Sequence, residues 1–236
     1  RTYPADLIIR YLNEGLLFQS VRRATKGTQD VVNRFSKSVE HLQLSTAVER
    51  IEPTAEGVRL YAKGQQGADY DHIVMASPAN RSAQIIEANF PREASVLRQF
   101  SYEKSSVVMH RDAALAPKKK RHWSPINFLT TKSSATPMAT IWMNSVHPEL
   151  HLGEPVFQTW NPTMVPRDDL ILSEAHFERP VVGAKNGVES VNNLRALHEE
   201  PNRRLWFCGS YADYAVPLLE SACLSALRVA SQLEQN

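Results

Sequence analysis

The stretch that most constrains this chain lies near its C-terminus. Arg203 to Tyr211, Arg-Arg-Leu-Trp-Phe-Cys-Gly-Ser-Tyr, is an apolar run bounded by charge at one end and by Gly209 at the other. That composition predicts a short buried strand that stops at a glycine turn. Between Val216 and Ala230, the residues Leu219, Ala222, Cys223, Ala226, Leu227 and Ala230 recur at steps of three and four, which predicts a helix. Pro217 falls in its first turn, where a missing N–H is harmless. A helix placed this way turns its unpaired amides and the positive end of its dipole toward Gly209. Glycine has no Cβ to hold a ligand away, so a phosphate or an electron-rich ring edge could dock there. The same letters also describe an ordinary strand, loop and helix that close a domain.

Composition narrows the classes. The chain has 236 residues, 27 basic against 25 acidic, and 42% hydrophobic content, which describes a globular protein of one or two domains. A net charge of +2 gives no reason to expect a nucleic-acid partner. The densest basic run, Lys118 to Arg121, reads as a solvated turn after Pro117. No apolar stretch approaches membrane-spanning length, and no signal peptide stands at the start. The two cysteines, Cys208 and Cys223, sit inside apolar patterns without metal or redox spacing. They are expected to be buried small hydrophobes in a reducing, cytoplasmic compartment, with no metal site.

In chain order, Leu7, Ile8, Tyr11, Leu12 and Leu16 predict a helix over 1–18 with Gly15 as a possible end. A second helix is expected over 22–38, entered through Lys26-Gly27 with Thr28 as its N-cap. Short alternating segments at 41–44, 47–51 and 57–61, separated by glycine turns, predict a β-meander. Asp71 to Ala76 is an apolar strand that ends at Ser77-Pro78. Helices are expected over 81–88 and from Pro91 to Phe100, a strand over 105–110, and an exposed hairpin or loop over 128–140. Strands over 140–144 and 156–161, a stretch over 170–177 that mixes acid with apolar residues, a turn-rich stretch over 179–186 and a helix over 188–198 complete the order. His110 and Asp112 share a strand face, and without a nucleophile at a defined spacing they read as a polar strand end.

Phe-Cys-Gly-Ser at 207–210, followed by Pro-Leu-Leu-Glu-Ser-Ala at 217–222 and a small-residue helix, resembles the closing motif of the FAD-dependent amine oxidase superfamily. This group includes the monoamine oxidase, polyamine oxidase and phytoene desaturase relatives. A second block matches in the same order: Gly27 leading a helix, Val48 to Ile51 as "V-x-x-I", and Asp71 to Pro78 as "D-x-V-V-x-A-x-P". The resemblance implies an α/β fold in which part of an FAD-binding, Rossmann-like domain with a β-meander is interrupted by a mixed-sheet substrate domain. Its expected boundaries are 22–84 and 197–236 for the FAD domain, 85–196 for the substrate domain, and 1–21 for a helical segment of the latter. It also implies FAD as cofactor, with Gly209 and Ser210 on the pyrophosphate, the amide of Leu219 on the flavin, Leu218 beside it, Val48 on the adenine and Gly27 at a helix entry.

Enzymes of this superfamily perform redox chemistry on the flavin ring, so the protein orients substrate and excludes water. The resemblance places a water-holding lysine on the strand after the Asp71–Pro78 block. Here that position is Ser106, with Lys104 two residues earlier on the same face. The position of an aromatic wall is Leu218. Trp142, Asn144 and His176 are candidates to line a substrate cavity, and an organic, apolar small molecule is the expected substrate. No "G-x-G-x-x-G" fingerprint occurs. The resemblance therefore implies the C-terminal part of a protein about twice as long, which alone would bind FAD weakly or not at all. The departures at Ser106 and Leu218 equally suit a catalytically silent module on the same scaffold.

Overall fold

The computed structural model describes residues 3–17, 24–130, 138–183 and 186–234. In chain order it forms helix α1 (Ala5–Tyr11), continued by a π turn (Leu12–Leu17), and helix α2 (Gly27–Ser36). Strands β1 (Val48–Pro53), β2 (Val58–Ala62), β3 (Ala68–Tyr70) and β4 (Ile73–Met75) follow. Helices α3 (Ala79–Ile86) and α4 (Pro91–Leu97) lead to strands β5 (Ser101–His110), β6 (Ile126–Leu129) and β7 (Met138–Trp142). The one-turn helix α5 (Met143–Val146), strands β8 (Phe157–Trp160) and β9 (Ile171–Val181), helix α6 (Gly187–His198), strand β10 (Leu205–Phe207) and helix α7 (Leu219–Leu233) complete it.

Two compact units result, one of residues 1–102 and 180–236 and one of residues 103–179. In the first, β1, β2 and β3 form an antiparallel meander, and β4 pairs in parallel with β10. Strand β10 is buried on both faces, as its unbroken apolar run requires. Leu205 and Phe207 enter a core with Ile51, Ile86, Leu97 and Leu194, while Trp206 and Cys208 pack on Val229 of α7. Arg203 anchors the strand's start, donating to the Leu205 carbonyl at 3.0 Å and to Glu200 at 2.9 Å. The boundaries differ from the expected 84/85 and 196/197 because α3, α4 and α6 bury Ile86, Leu97, Leu194 and Leu197 in this same core.

In the second unit the strand order is β6-β7-β8-β5-β9, with antiparallel pairing of β6 to β7, β7 to β8 and β8 to β5. Phe157 is fully buried, and His110 is buried in stacked contact with it. The His110 Nδ1 accepts from the Asp112 amide at 3.1 Å, so its Nε2–H faces the Thr159 hydroxyl at 2.7 Å. Asp112 in turn caps the next turn by accepting from the Ala114 amide. Burial lowers the His110 pKa. This is the polar strand end the sequence predicts.

Several expectations are corrected. Residues 41–44 form no strand, because Leu42 and Leu44 have no partner strand among the described residues and are exposed. Helix α2 begins at Gly27 after Lys26, so Thr28 is inside it rather than its N-cap. Strand β7 stops at Trp142, and Met143 and Asn144 lie in α5. The mixed acidic and apolar stretch at 170–177 and the start of the turn-rich stretch at 179–186 are the strand β9, whose mostly exposed residues lack the alternation a strand search relies on. The expected hairpin at 128–140 is the β6–β7 pair, with Leu129 opposite Met138. Residues 131–137 of that hairpin, 22–23 of the second expected helix and 184–185 of the expected turn lie outside the described residues.

Candidate functional site

The turn after β10 holds the chain's most constrained backbone. Gly209 has φ +151°, a conformation that L side chains rarely adopt, and a Cβ there would stand 2.8 Å from the Tyr211 ring. Its amide donates to Ser225 Oγ at 2.9 Å, and that hydroxyl lies 3.0 Å from the Gly209 carbonyl and 2.8 Å from the Ala222 carbonyl. One serine on α7 thus straps both polar groups of the turn to the helix. Both the Gly209 amide and the space beside its Cα are thus taken within the chain, by Ser225 and by the Tyr211 ring. Ser210, next along, is partly exposed.

Helix α7 starts at Leu219, two residues past Pro217, so the proline precedes the first turn instead of occupying it. Pro217 can begin no helix here because the chain is still tied in a turn, the Leu218 amide donating to the Val216 carbonyl at 2.8 Å. Its N-cap is Leu218 in extended conformation, with no side chain capping the end. The first-turn amides are therefore open, and Leu218 and Leu219 stand exposed beside them. Ser221 Oγ donates back to the Val216 carbonyl, fixing the entry angle. An open helix start beside a glycine turn can take an anion or a hydrogen-bond-accepting ring edge.

The buried side of α7 is Ser221, Ser225 and Val229, not the stripe that recurs in the sequence. Leu219 and Leu227 are 62% and 64% exposed, and Cys223 is exposed, correcting its expected burial. Cys208 is buried, and burial pushes its thiol pKa up, as an inert core residue requires. Val48 opens β1 half-buried against the main core, and a register shift between Val48 and Arg50 kinks the strand there. Gly27 begins α2 at φ +76°, and a Cβ there would meet nothing within 4 Å.

The other sequence-predicted residues lie in the second unit. Ser106 on β5 is half-buried and its backbone is paired on both sides with Asn161, at 3.1 Å and 2.8 Å. Lys104 shares its face and is exposed. Trp142 packs edge-on against Trp123 with centroids 5.4 Å apart, and its buried Nε1–H has no partner among the described residues. Asn144 spends its polar atoms on the chain: it donates to the Leu152 and Glu154 carbonyls and accepts from the Val156 amide at 2.8 Å. It is a latch on the loop before β8. His176 is exposed on β9, 3.6 Å from Glu174. Strand β9 lies three places from β7, about 14 Å at ordinary strand spacing, so the sheet does not bring His176 to Trp142. Sequence reasoning missed Ser225; its signal is the Ser221/Ser225 spacing of four on the helix side opposite the leucines.

A family model described as flavin containing amine oxidoreductase matches residues 8–151. Among solved structures, the fold is similar to a CLA-producing fatty acid isomerase from P. acnes, with a TM-score of 0.67 and 12% identity over 98% of this chain and 58% of that one. It is also similar to the cyclohexylamine oxidase of Brevibacterium oxydans IH-35A, with a TM-score of 0.55 and 14% identity over 88% of this chain and 53% of that one. At these identities the likeness shows the fold, that of FAD-dependent oxidoreductases, and the chain spans a little over half the length of either structure. A search of curated proteins by sequence finds no match.

Proposed function

The chain belongs to the flavin-containing amine oxidoreductase family, and from that premise we propose that it builds part of an FAD-dependent oxidoreductase that removes a hydride from an apolar organic small molecule. The observation that supports this reading is the start of α7 in unit 1, which has no side-chain cap and follows a glycine turn. A glycine turn that tolerates no Cβ is strapped by Ser225 to a helix whose first amides are uncapped. On this reading Gly209 and Ser210 would lie against the pyrophosphate, the Leu219 amide against the ring edge with Leu218 alongside, and Val48 near the adenine. The bound flavin would supply the redox chemistry by accepting the hydride.

On this reading unit 1 carries the cofactor side and unit 2 the substrate side. The half-buried Ser106 would hold a water by its hydroxyl, with the exposed Lys104 as a displaced cation on the same face. Trp142, edge-on against Trp123, would give an apolar wall. Asn144 would act by fixing the loop before β8, and His176 would stand at the solvent edge.

The test is the visible absorption spectrum of the natural full-length protein, with and without added FAD. A flavin spectrum that bleaches on anaerobic addition of a reductant, and that is weakened in Gly209→Val, supports the reading. A colourless protein that fails to take up added FAD overturns it and leaves a silent module on a flavoprotein scaffold.

A further inference from the structure

The acidic residues of this chain leave a long gap in unit 2. Between Asp112 and Glu149 there is no aspartate or glutamate, while five lysines and arginines occur there, four of them consecutive from Lys118 to Arg121. Those four are exposed together with His122, and none has a carboxylate partner among the described residues. Arg121 Nε donates to His122 Nε2 at 3.3 Å, and the Lys120 ammonium stands 5.7 Å from the Trp123 ring centroid. The loop that carries them is held in place. Lys120–His122 makes a 3₁₀ turn, and the Trp123 Nε1–H donates to the Pro117 carbonyl at 2.8 Å, clamping the loop across its base. Trp123 is itself fixed edge-on against Trp142 and Phe157, with centroids 5.4 Å and 5.1 Å away. The chain then enters β6 through Asn127, whose side chain accepts from the Ser124 amide at 3.0 Å and donates to the Ser124 carbonyl at 2.8 Å. Strand β6 is the outermost of its sheet and pairs only with β7 among the described residues. Ile126 and Phe128 share one face of it and are 50% and 73% exposed.

We infer that this edge of unit 2, the basic loop 118–122 with Ile126 and Phe128, docks on the surface of an anionic lipid membrane. Lipid phosphates and carboxylates supply the negative charge that the four cations lack within the chain, and each cation near such a surface strengthens binding about fivefold. Because the loop is clamped by Trp123, little further ordering is needed to present them. The two exposed apolar side chains can enter the boundary between headgroups and acyl chains, a contact that a purely acidic macromolecule would leave unused. An outermost strand that shows apolar side chains to water is a hazard, and seating it among headgroups removes that exposure. Contact is at the surface only, since no helix among the described residues is long and apolar enough to cross a membrane. Nothing in this docking depends on a bound flavin.

The test is co-sedimentation of the natural full-length protein with vesicles of phosphatidylcholine alone, and of phosphatidylcholine mixed equally with phosphatidylserine. The expected result is binding to the mixed vesicles that is much weaker on phosphatidylcholine alone and that falls as salt is raised from about 0.1 M to about 0.5 M. Lys119→Gln combined with Arg121→Gln should weaken it about 20-fold. Phe128→Thr, which keeps the strand preference, should weaken it about fivefold. All three positions are exposed, so the variants should fold as the parent does, which circular dichroism checks. No binding to the mixed vesicles, or equal binding by the parent and both variants, overturns the inference. Binding that the charge change weakens and Phe128→Thr leaves untouched overturns it in favour of an acidic macromolecule. Vesicle binding by a protein that takes up no FAD would leave this inference standing while sinking the oxidoreductase reading.

Discussion

His198 shows how much one buried side chain can set the behaviour of its unit. Its Nε2 accepts from the Phe207 amide at 3.2 Å and its ring stacks on Phe207, so it is needed neutral. Burial, helped by the nearby Arg203 charge, lowers its pKa from 6.5 to about 4. Below pH 6.5 the unfolded chain takes up a proton that the folded chain refuses, so stability present above that pH is lost as pH falls toward 4. Between pH 7 and pH 5 this should remove about 2 kcal/mol. His198→Gln keeps the acceptor without the titration, and urea unfolding at the two pH values should show a flatter dependence for the variant. At Gly209 the expectation is steric. Gly209→Ala should destabilise by about 1–3 kcal/mol. Adding Tyr211→Ala should recover only the part due to the ring clash, because the φ strain persists; thermal denaturation of both variants separates the two terms.

Helix α7 divides into a side that holds the fold and a side that does not. Ser225→Ala removes the strap and leaves the Gly209 amide and carbonyl short of a partner, for a loss of about 1–3 kcal/mol. Leu227→Ser, on the 64% exposed side, should stay within about 0.5 kcal/mol in this chain. The measurement is the urea midpoint of each, and a larger loss for Leu227→Ser would reverse the assignment of the two faces. In the second unit, Asn144→Ala should free the loop at 152–156. Faster amide exchange at Val156 than in the parent is the expected outcome, since that amide loses its acceptor.

For the molecule as a whole, each unit buries its own aromatic anchors: Phe207 and Trp206 in one, Phe157 in the other. Phe157→Ala should cost about 3–5 kcal/mol and raise exchange through β5, β7 and β8, the strands that share its core. Hydrogen exchange read strand by strand checks this; unchanged protection in β7 and β8 would show that the sheet is held by something other than this side chain. The same division explains where candidate residues fall. Gly27, Val48, Gly209, Ser210, Leu218 and Leu219 are carried by residues 1–102 and 180–236, and Lys104, Ser106, Trp142, Asn144 and His176 by 103–179.

Much of this was legible from local chemistry. A run of apolar residues stopped by a glycine must be a buried strand, Pro91 must open a helix, and glycine-separated alternation must be a meander; these follow from backbone sterics and side-chain period alone. The family, too, was readable in the order of two short motifs. Tertiary structure decided the rest. Periodicity picked out Leu219, Cys223 and Leu227 on α7, yet the helix packs through Ser221, Ser225 and Val229. Small hydroxyl residues let a helix approach a strand closely and return hydrogen bonds to a turn, an advantage visible only once that turn lies alongside. In the same way, the letters of Asn144 and Tyr211 name polar groups, but only folding consumes the one in a loop and leaves the other buried with no partner among the described residues.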